Sequence, residues 1–139
     1  MHIGILSGKP GWHVLDLQRA ATELGLVVTL LDLTQLSTLE DLTRYDALVL
    51  RMFPSGSLEQ TLFRLSLLYQ AERAGQRVIN RPGAFEACVD KYSTTARLAR
   101  AGLPVPATEC CQTIEAALEA YVRLGGDVVV KPIFGSEGR

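Results

Sequence analysis

The chain has 139 residues, enough for one domain and part of a second. Hydrophobic residues make up 47% and charged residues 21%, a composition typical of soluble globular proteins. The net charge of −1 argues against a nucleic-acid partner, and no apolar run approaches the roughly 20 residues that span a bilayer. No secretory signal is visible at the start, so we expect a cytoplasmic protein with no membrane partner.

Three cysteines do not form a metal-binding pattern. Cys88, Cys110 and Cys111 include no C-x-x-C pair and have no histidine nearby. An odd number of cysteines favours reduced thiols, and we expect all three to be buried small hydrophobic residues.

The first eighty residues alternate between strands and helices. Short apolar runs predict strands at 2–6, 27–33, 46–52 and 77–80. Helical spacing predicts one helix over 14–24 and a second from Ser57, where Gln60 completes a capping box, to just before Gly75. The apolar face of that second helix is predicted to be Leu58, Leu62, Leu65, Leu68 and Tyr69. This alternation indicates an α/β fold, a mostly parallel sheet with helices on both faces.

The remaining residues change character after Asn80. Helices are predicted over 84–88, from a cap at Asp90 to Ala101, and from a cap at Thr113 to Leu124, with short strands over 108–111 and 127–131. These elements are too few for a complete core. We therefore divide the chain into a substrate-side domain, 1–88, and an incomplete α+β subdomain, 89–139.

The predicted strand that ends at Lys131 is followed by a glycine-rich stretch, Gly135-Ser-Glu-Gly-Arg139. A lysine at the end of a strand can reach a phosphate, and the glycines let backbone N–H groups form an anion-binding concavity. An exposed lysine followed by a β-turn would give the same pattern.

A second cation stands at a helix start. Asp90 is an ordinary N-cap, and Lys91 follows it where the helix dipole is positive. A cation is favoured there when an anion such as phosphate binds to both the lysine and the helix. A solvated lysine explains the position equally well.

The order of these motifs is more specific than any one of them. Asn80-Arg-Pro, Asp90-Lys91, the connector Gly102-Leu-Pro-Val-Pro106 and the Lys131 strand with its glycine-rich loop follow one another at a spacing that resembles the ATP-grasp superfamily. The RimK-like group, which joins glutamate or a related amino acid to an acceptor carboxylate, is the most similar part of it. The resemblance implies a pre-ATP-grasp domain followed by the start of the ATP-grasp small subdomain.

The same resemblance implies a set of nucleotide-binding residues. Lys91 and Lys131 would contact the ATP phosphates, and the flexible loop that closes on them would begin with Gly135, Ser136, Glu137, Gly138 and Arg139. The family's adenine-hinge residues and Mg²⁺-binding Glu and Asn residues would lie downstream of Arg139. We therefore expect ATP and Mg²⁺ to act in a longer protein, no tightly bound cofactor and no ligation in this fragment, and disorder over 135–139.

Polar side chains also collect beyond the carboxyl ends of the predicted strands, where open α/β sheets bind ligands. We call the following residues the cationic rim: Lys9, Trp12, His13, Arg51, Asn80 and Arg81. In RimK-like enzymes this domain helps to bind substrate, so the resemblance implies a site for a small-molecule or peptide carboxylate. Scattered solvated charges are the alternative, and a place in the core or an interface suits Trp12 better than stacking on a ligand. The sequence leaves homo-oligomerisation open.

A second class of function remains open for residues 1–80. A regulatory or dinucleotide-binding domain would have the same alternation, and Asp32 at the end of the second strand would suit a ribose. However, Gly4, Gly8 and Gly11 do not form G-x-G-x-x-G.

Overall fold

A computed structural model of the chain describes residues 1–134, and it divides the chain into two compact units, Met1–Phe85 and Glu86–Arg139. The first unit contains β1 (His2–Ser7), α1 (Trp12–Glu23), β2 (Val27–Asp32), α2 (Glu40–Thr43), β3 (Ala47–Leu50), α3 (Leu58–Arg73) and β4 (Val78–Ile79). Three further helices follow: α4 (Pro82–Val89), α5 (Lys91–Arg100) and α6 (Ile114–Arg123).

The four strands form one parallel sheet in the order β2-β1-β3-β4. In β1, Ile3 lies opposite Val28 of β2 on one side and Ala47 of β3 on the other. All the carboxyl ends therefore lie along one edge, which we call the carboxyl edge. The predicted α/β fold is confirmed.

Each face of the sheet has its own apolar cluster, because successive side chains of a strand point to opposite faces. On one face, Ile3 and Ile5 of β1 pack with Val14 of α1. On the other, Leu6 of β1 and Leu48 of β3 belong to a larger cluster that includes residues of α2 and α3. The first unit therefore has helices on both faces and a core of its own.

Helix α3 begins with the predicted capping box. Ser57 Oγ accepts from the N–H of Gln60, and Gln60 Oε1 accepts from the N–H of Ser57 at 3.0 Å. The predicted apolar face is partly wrong, since Leu58 and Leu62 are exposed. The buried residues are Arg64, Leu65, Leu67, Leu68 and Ala71. Leucines of α3 lie on all sides of the helix, so their spacing alone could not identify the buried face.

The second unit has the predicted helices but not the predicted strands. Asp90 accepts from the N–H of Ser93 at 2.9 Å, and Thr113 caps α6 through Ala116. Within residues 86–134, no strand forms over 108–111 or 127–131, and Val130 is 91% exposed. β-branched residues favour a strand only where a neighbouring strand supplies hydrogen bonds, and the described residues supply none here.

The structure also tests the predictions for the cysteines and for membrane-spanning segments. The cysteines are free, but Cys88 and Cys110 are exposed and Cys111 is half-buried, so their predicted burial was wrong. These positions lie in the second unit, where few side chains are buried. No helix within residues 1–134 is both long and apolar enough to span a membrane.

Candidate functional site

The order of the strands creates a topological switch point at the carboxyl edge. From β1 the chain crosses to β2 on one side, and it later returns to place β3 on the other side. Ligands of open α/β sheets bind where the strand order reverses in this way. The loops after β1 and β3 are in close contact there, because a Cβ atom on Gly8 would lie 3.1 Å from Pro54 Cβ. We call this place the switch point.

The part of the cationic rim that follows β1 is open to solvent. Lys9 and His13 are exposed, and Trp12 is 70% exposed. The Trp12 and His13 rings lie 3.8 Å apart between centroids. Trp12 is therefore not a core residue of this unit, so of the two expected environments, the core and an interface, the core is wrong. It is the first residue of α1, next to the loop that reaches the switch point.

The cations of the rim differ in their environment. Arg51 is half-buried, and its backbone N–H donates to the Leu6 carbonyl at 3.0 Å, so it directly continues β3 beside β1. Arg81 is exposed and pairs with Glu72 at 2.7 Å, a hydrogen bond that raises the pKa of the Arg81 guanidinium. Asn80, just before it, is exposed. Arg51 thus stands at the switch point, while the charge of Arg81 is partly compensated.

Sequence reasoning missed one cation at this edge. Arg64, in the second turn of α3, is only 6% exposed, and its Nη1 donates to the carbonyls of Pro54 and Ser55 at 3.0 and 3.4 Å. It therefore holds the loop that follows Arg51. The available signal was weak: an arginine inside the leucine-rich stretch Leu62–Leu68, where a solvated charge is the usual interpretation.

Asp32, the residue that kept a dinucleotide site open, is engaged locally. Its Oδ1 accepts from the hydroxyl of Thr34 at 2.7 Å and from the N–H of Thr34 at 2.9 Å. These hydrogen bonds, with a smaller contribution from the charge of Arg64, lower the pKa of the Asp32 carboxyl. The carboxylate is a turn-forming group at the end of β2, which lies on the other side of β1 from β3.

The second unit contains the two lysines expected at the ATP phosphates. The Ile133 carbonyl accepts from the Lys91 N–H at 3.2 Å and lies 3.4 Å from Lys91 Nζ. The segment that carries Lys131, two residues before Ile133, therefore lies beside the N-terminus of α5. Lys131 is exposed. Gly135, Ser136, Glu137, Gly138 and Arg139, and with them the expected disorder, lie outside the described residues.

Lysines and a helix N-terminus are groups that bind anions rather than metal ions. Two lysines near a helix N-terminus supply positive charge and backbone donors for an anion. Within residues 1–134, no group of three His, Cys, Asp or Glu side chains is placed to hold a metal ion.

Comparison by sequence gives two informative relatives. The chain is 43% identical over 98 residues to a tetrahydromethanopterin:alpha-L-glutamate ligase of Methanosarcina acetivorans, covering 70% of this chain and 30% of that protein. It is 36% identical over 98 residues to the glutamate–LysW ligase ArgX of Sulfurisphaera tokodaii, covering 70% of this chain and 33% of the relative. The chain thus spans about a third of the length of these curated relatives. No protein-family model matches it.

Comparison by structure identifies the fold. An ATP-grasp protein with a RimK domain from Sphaerobacter thermophilus matches with a TM-score of 0.75 at 21% identity, covering 100% of this chain and 52% of that chain. At this identity the match concerns the fold alone. The chain is thus similar in sequence to glutamate ligases, and it has the fold of the first part of an ATP-grasp protein with a RimK domain.

Proposed function

We propose that this chain forms the acceptor-binding domain and the first phosphate-binding residues of an ATP-dependent ligase that adds glutamate, or a similar amino acid, to an acceptor carboxylate. The observation that carries the proposal is the contact between Lys91 and Ile133, which brings the Lys131 segment to the N-terminus of α5. The relatives and the fold support the same class of reaction.

The two units would have separate roles. The switch point of the first unit would hold the acceptor carboxylate, with Arg51 available to grip it through two hydrogen bonds. The acceptor would be a small carboxylated metabolite, a carrier or a protein C-terminus. Lys91 and Lys131 would neutralise phosphate charge and orient the terminal phosphoryl group, which is the main protein contribution to phosphoryl transfer.

The reaction would proceed in two steps, through an acyl phosphate. A carboxylate oxygen of the acceptor attacks the γ-phosphorus of ATP, and ADP leaves with the electrons of the broken P–O bond. The amine of the amino acid then attacks the carbonyl carbon of the acyl phosphate, phosphate leaves, and the nitrogen loses a proton. Mg²⁺ would stabilise the phosphate charge, and its ligands would come from outside residues 1–134.

The test is an ADP-release assay with ATP, Mg²⁺, glutamate and candidate acceptors. It compares the chain 1–139 with a longer protein that joins this chain to the downstream region present in its relatives. We expect turnover in the longer protein alone. Lys131→Ala in that protein should lower kcat/KM by about 100-fold, the effect of losing one oriented charge-stabilising group.

Arg100→Ala is the matched control, because Arg100 is an exposed cation at the far end of α5. It should leave kcat/KM unchanged. Turnover by residues 1–139 alone at a comparable rate, or unchanged activity after Lys131→Ala, would contradict the proposal.

A further inference from the structure

Arg64 is a buried cation whose charge acts on the Asp32 carboxylate, although the two do not form an ion pair. Its side chain lies in the first unit, and the residue is 6% exposed. Its hydrogen bonds go to two neutral backbone carbonyls, Pro54 and Ser55, and it forms no ion pair within residues 1–134. Removing a charge from water is costly unless an opposite charge compensates it. The environment of Arg64 is therefore suited to an anion.

The position of Arg64 identifies where such an anion would lie. The two carbonyls belong to the loop between β3 and α3, which begins at Arg51 and packs Pro54 against Gly8 of the loop after β1. The Arg64 guanidinium therefore lies against the loop that follows β3, which forms one side of the switch point.

The loop is shaped to accept the guanidinium. Gly56 leaves the necessary space, since a Cβ atom there would lie 2.8 Å from Arg64 Nη1 and 2.5 Å from Gln60 Oε1. On the preceding side, the Phe53 ring stacks on Phe85 with centroids 5.3 Å apart. The loop is thus held by Phe53 at its start and by Arg64 at its centre.

We propose that Arg64 is the positioning residue of the acceptor site: it fixes the loop 51–56 through the Pro54 and Ser55 carbonyls, and its positive charge, which is not neutralised by an ion pair within residues 1–134, attracts the acceptor carboxylate to the switch point. The inference rests on the proposed function, because it takes the acceptor to be a carboxylate. In this inference Arg64 contacts the loop 51–56 and does not contact the reacting atoms.

The test uses the isotope-labelled chain 1–139 and glutarate, a small dicarboxylate, titrated by NMR at pH 7 without ATP. We expect saturable shifts of the amides of Gly8, Arg51 and Gly56. Arg64→Met should weaken glutarate binding by about tenfold, because it removes a nearby positive charge and releases the loop that carries Arg51. Arg64→Lys, which keeps the charge but not the planar fork of donors, should recover part of that affinity.

Arg73→Met is the matched control, since Arg73 is an exposed cation in the last turn of the same helix. It should bind glutarate as the unsubstituted chain does. Added salt should weaken binding to the unsubstituted chain more than to Arg64→Met, an effect that a purely structural role would not produce.

Gly56→Ala provides a second route if Arg64→Met does not fold. It keeps the charge but crowds the guanidinium, so it should also weaken glutarate binding. The proposal is overturned if the unsubstituted chain shows no saturable shifts, if Arg64→Met and Gly56→Ala both bind normally, or if Arg73→Met loses as much affinity as Arg64→Met. Because the assay needs neither ATP nor turnover, these results are independent of ADP release by the longer protein.

Discussion

Among the residues of the cationic rim, Arg51 is the one whose place in the fold argues most directly for contact with substrate. It stands at the switch point and is half-buried, whereas Arg81 is paired with Glu72. In the longer protein, Arg51→Ala should raise the KM for the acceptor by about tenfold or more, since a guanidinium can bind a carboxylate through two charged hydrogen bonds. The KM for ATP should change little, because the lysines proposed to bind phosphate belong to the other unit.

Steady-state kinetics with each substrate varied in turn measures the two KM values separately. Arg81→Ala serves as the comparison, and its effect on the acceptor KM should be smaller because Glu72 already compensates that charge. An equal rise in the KM for ATP after Arg51→Ala, or no change for either substrate, would remove Arg51 from the acceptor site.

A second residue-scale prediction concerns acid stability. Asp41 accepts hydrogen bonds from the N–H groups of Ser37 and Thr38 at 3.1 and 3.0 Å, and these bonds lower the pKa of the Asp41 carboxyl. A pKa that is lower in the folded state stabilises the fold above the unfolded-state value, near 3.9. That stabilisation is lost as the pH falls from there through the folded-state pKa.

Urea unfolding of Asp41→Asn between pH 2.5 and 6 should therefore show a shallower fall in the free energy of unfolding than the unsubstituted chain. Glu40→Gln is the control, since it removes an exposed carboxylate at the preceding position of α2. It should change the slope less. Identical slopes for Asp41→Asn and the unsubstituted chain would show that these hydrogen bonds do not contribute.

At the scale of single elements, the start of α3 carries the clearest stability prediction. The Ser57 hydroxyl accepts from the Gln60 N–H, and this capping box lies at the end of the loop that Arg64 holds. Ser57→Ala should lower the free energy of unfolding by about 1 kcal/mol, because a donor of the first turn loses its partner. Thermal or urea unfolding measures this loss of stability.

The control for Ser57→Ala is Ser66→Ala, at an exposed position in the interior of α3. Alanine is the better helix former there, so this variant should be neutral or slightly more stable. Equal destabilisation by both substitutions would rule out a specific effect of the cap.

Local sequence determined some elements and not others. Apolar runs predicted all four strands of the sheet, and Ser57, Asp90 and Thr113 predicted three helix starts, because these signals act within a few residues. The strands predicted over 108–111 and 127–131 were wrong because a strand depends on a distant partner.

The candidate site shows the same division. The positions of Lys9, Arg51 and Asn80 beyond strand ends could be predicted because these residues follow strands closely in the chain, while their contact with a substrate stays a prediction. Arg64 could not, because its burial depends on which face of a leucine-rich helix meets the sheet, and its partners are carbonyls nine and ten residues away. Side chains that approach a site from a neighbouring helix leave only a weak signal in the sequence.

At the scale of the whole molecule, the two units differ in how much apolar surface they bury. The first unit has a cluster on each face of its sheet. Among the described residues from Glu86 onwards, Ala120 alone is a buried hydrophobic residue, while Ile114 and Val122 on the same helix are 75% and 74% exposed. Burial of apolar surface is the main favourable term in folding, so the first unit should be the more stable one.

Hydrogen exchange of the chain 1–139 tests this difference directly. Amides of β1 and β3, in the core of the first unit, should exchange at least about 100-fold more slowly than amides of 107–131, because local opening requires less free energy where few contacts are buried. Both sets are measured in one sample, which removes differences in pH and temperature, and each rate is divided by that of the unfolded peptide. With added denaturant, protection in α6 should disappear while β1 and β3 remain protected. If both parts show equal protection and lose it together, the chain unfolds as one cooperative unit, and the assignment of an independently stable acceptor-side domain is wrong.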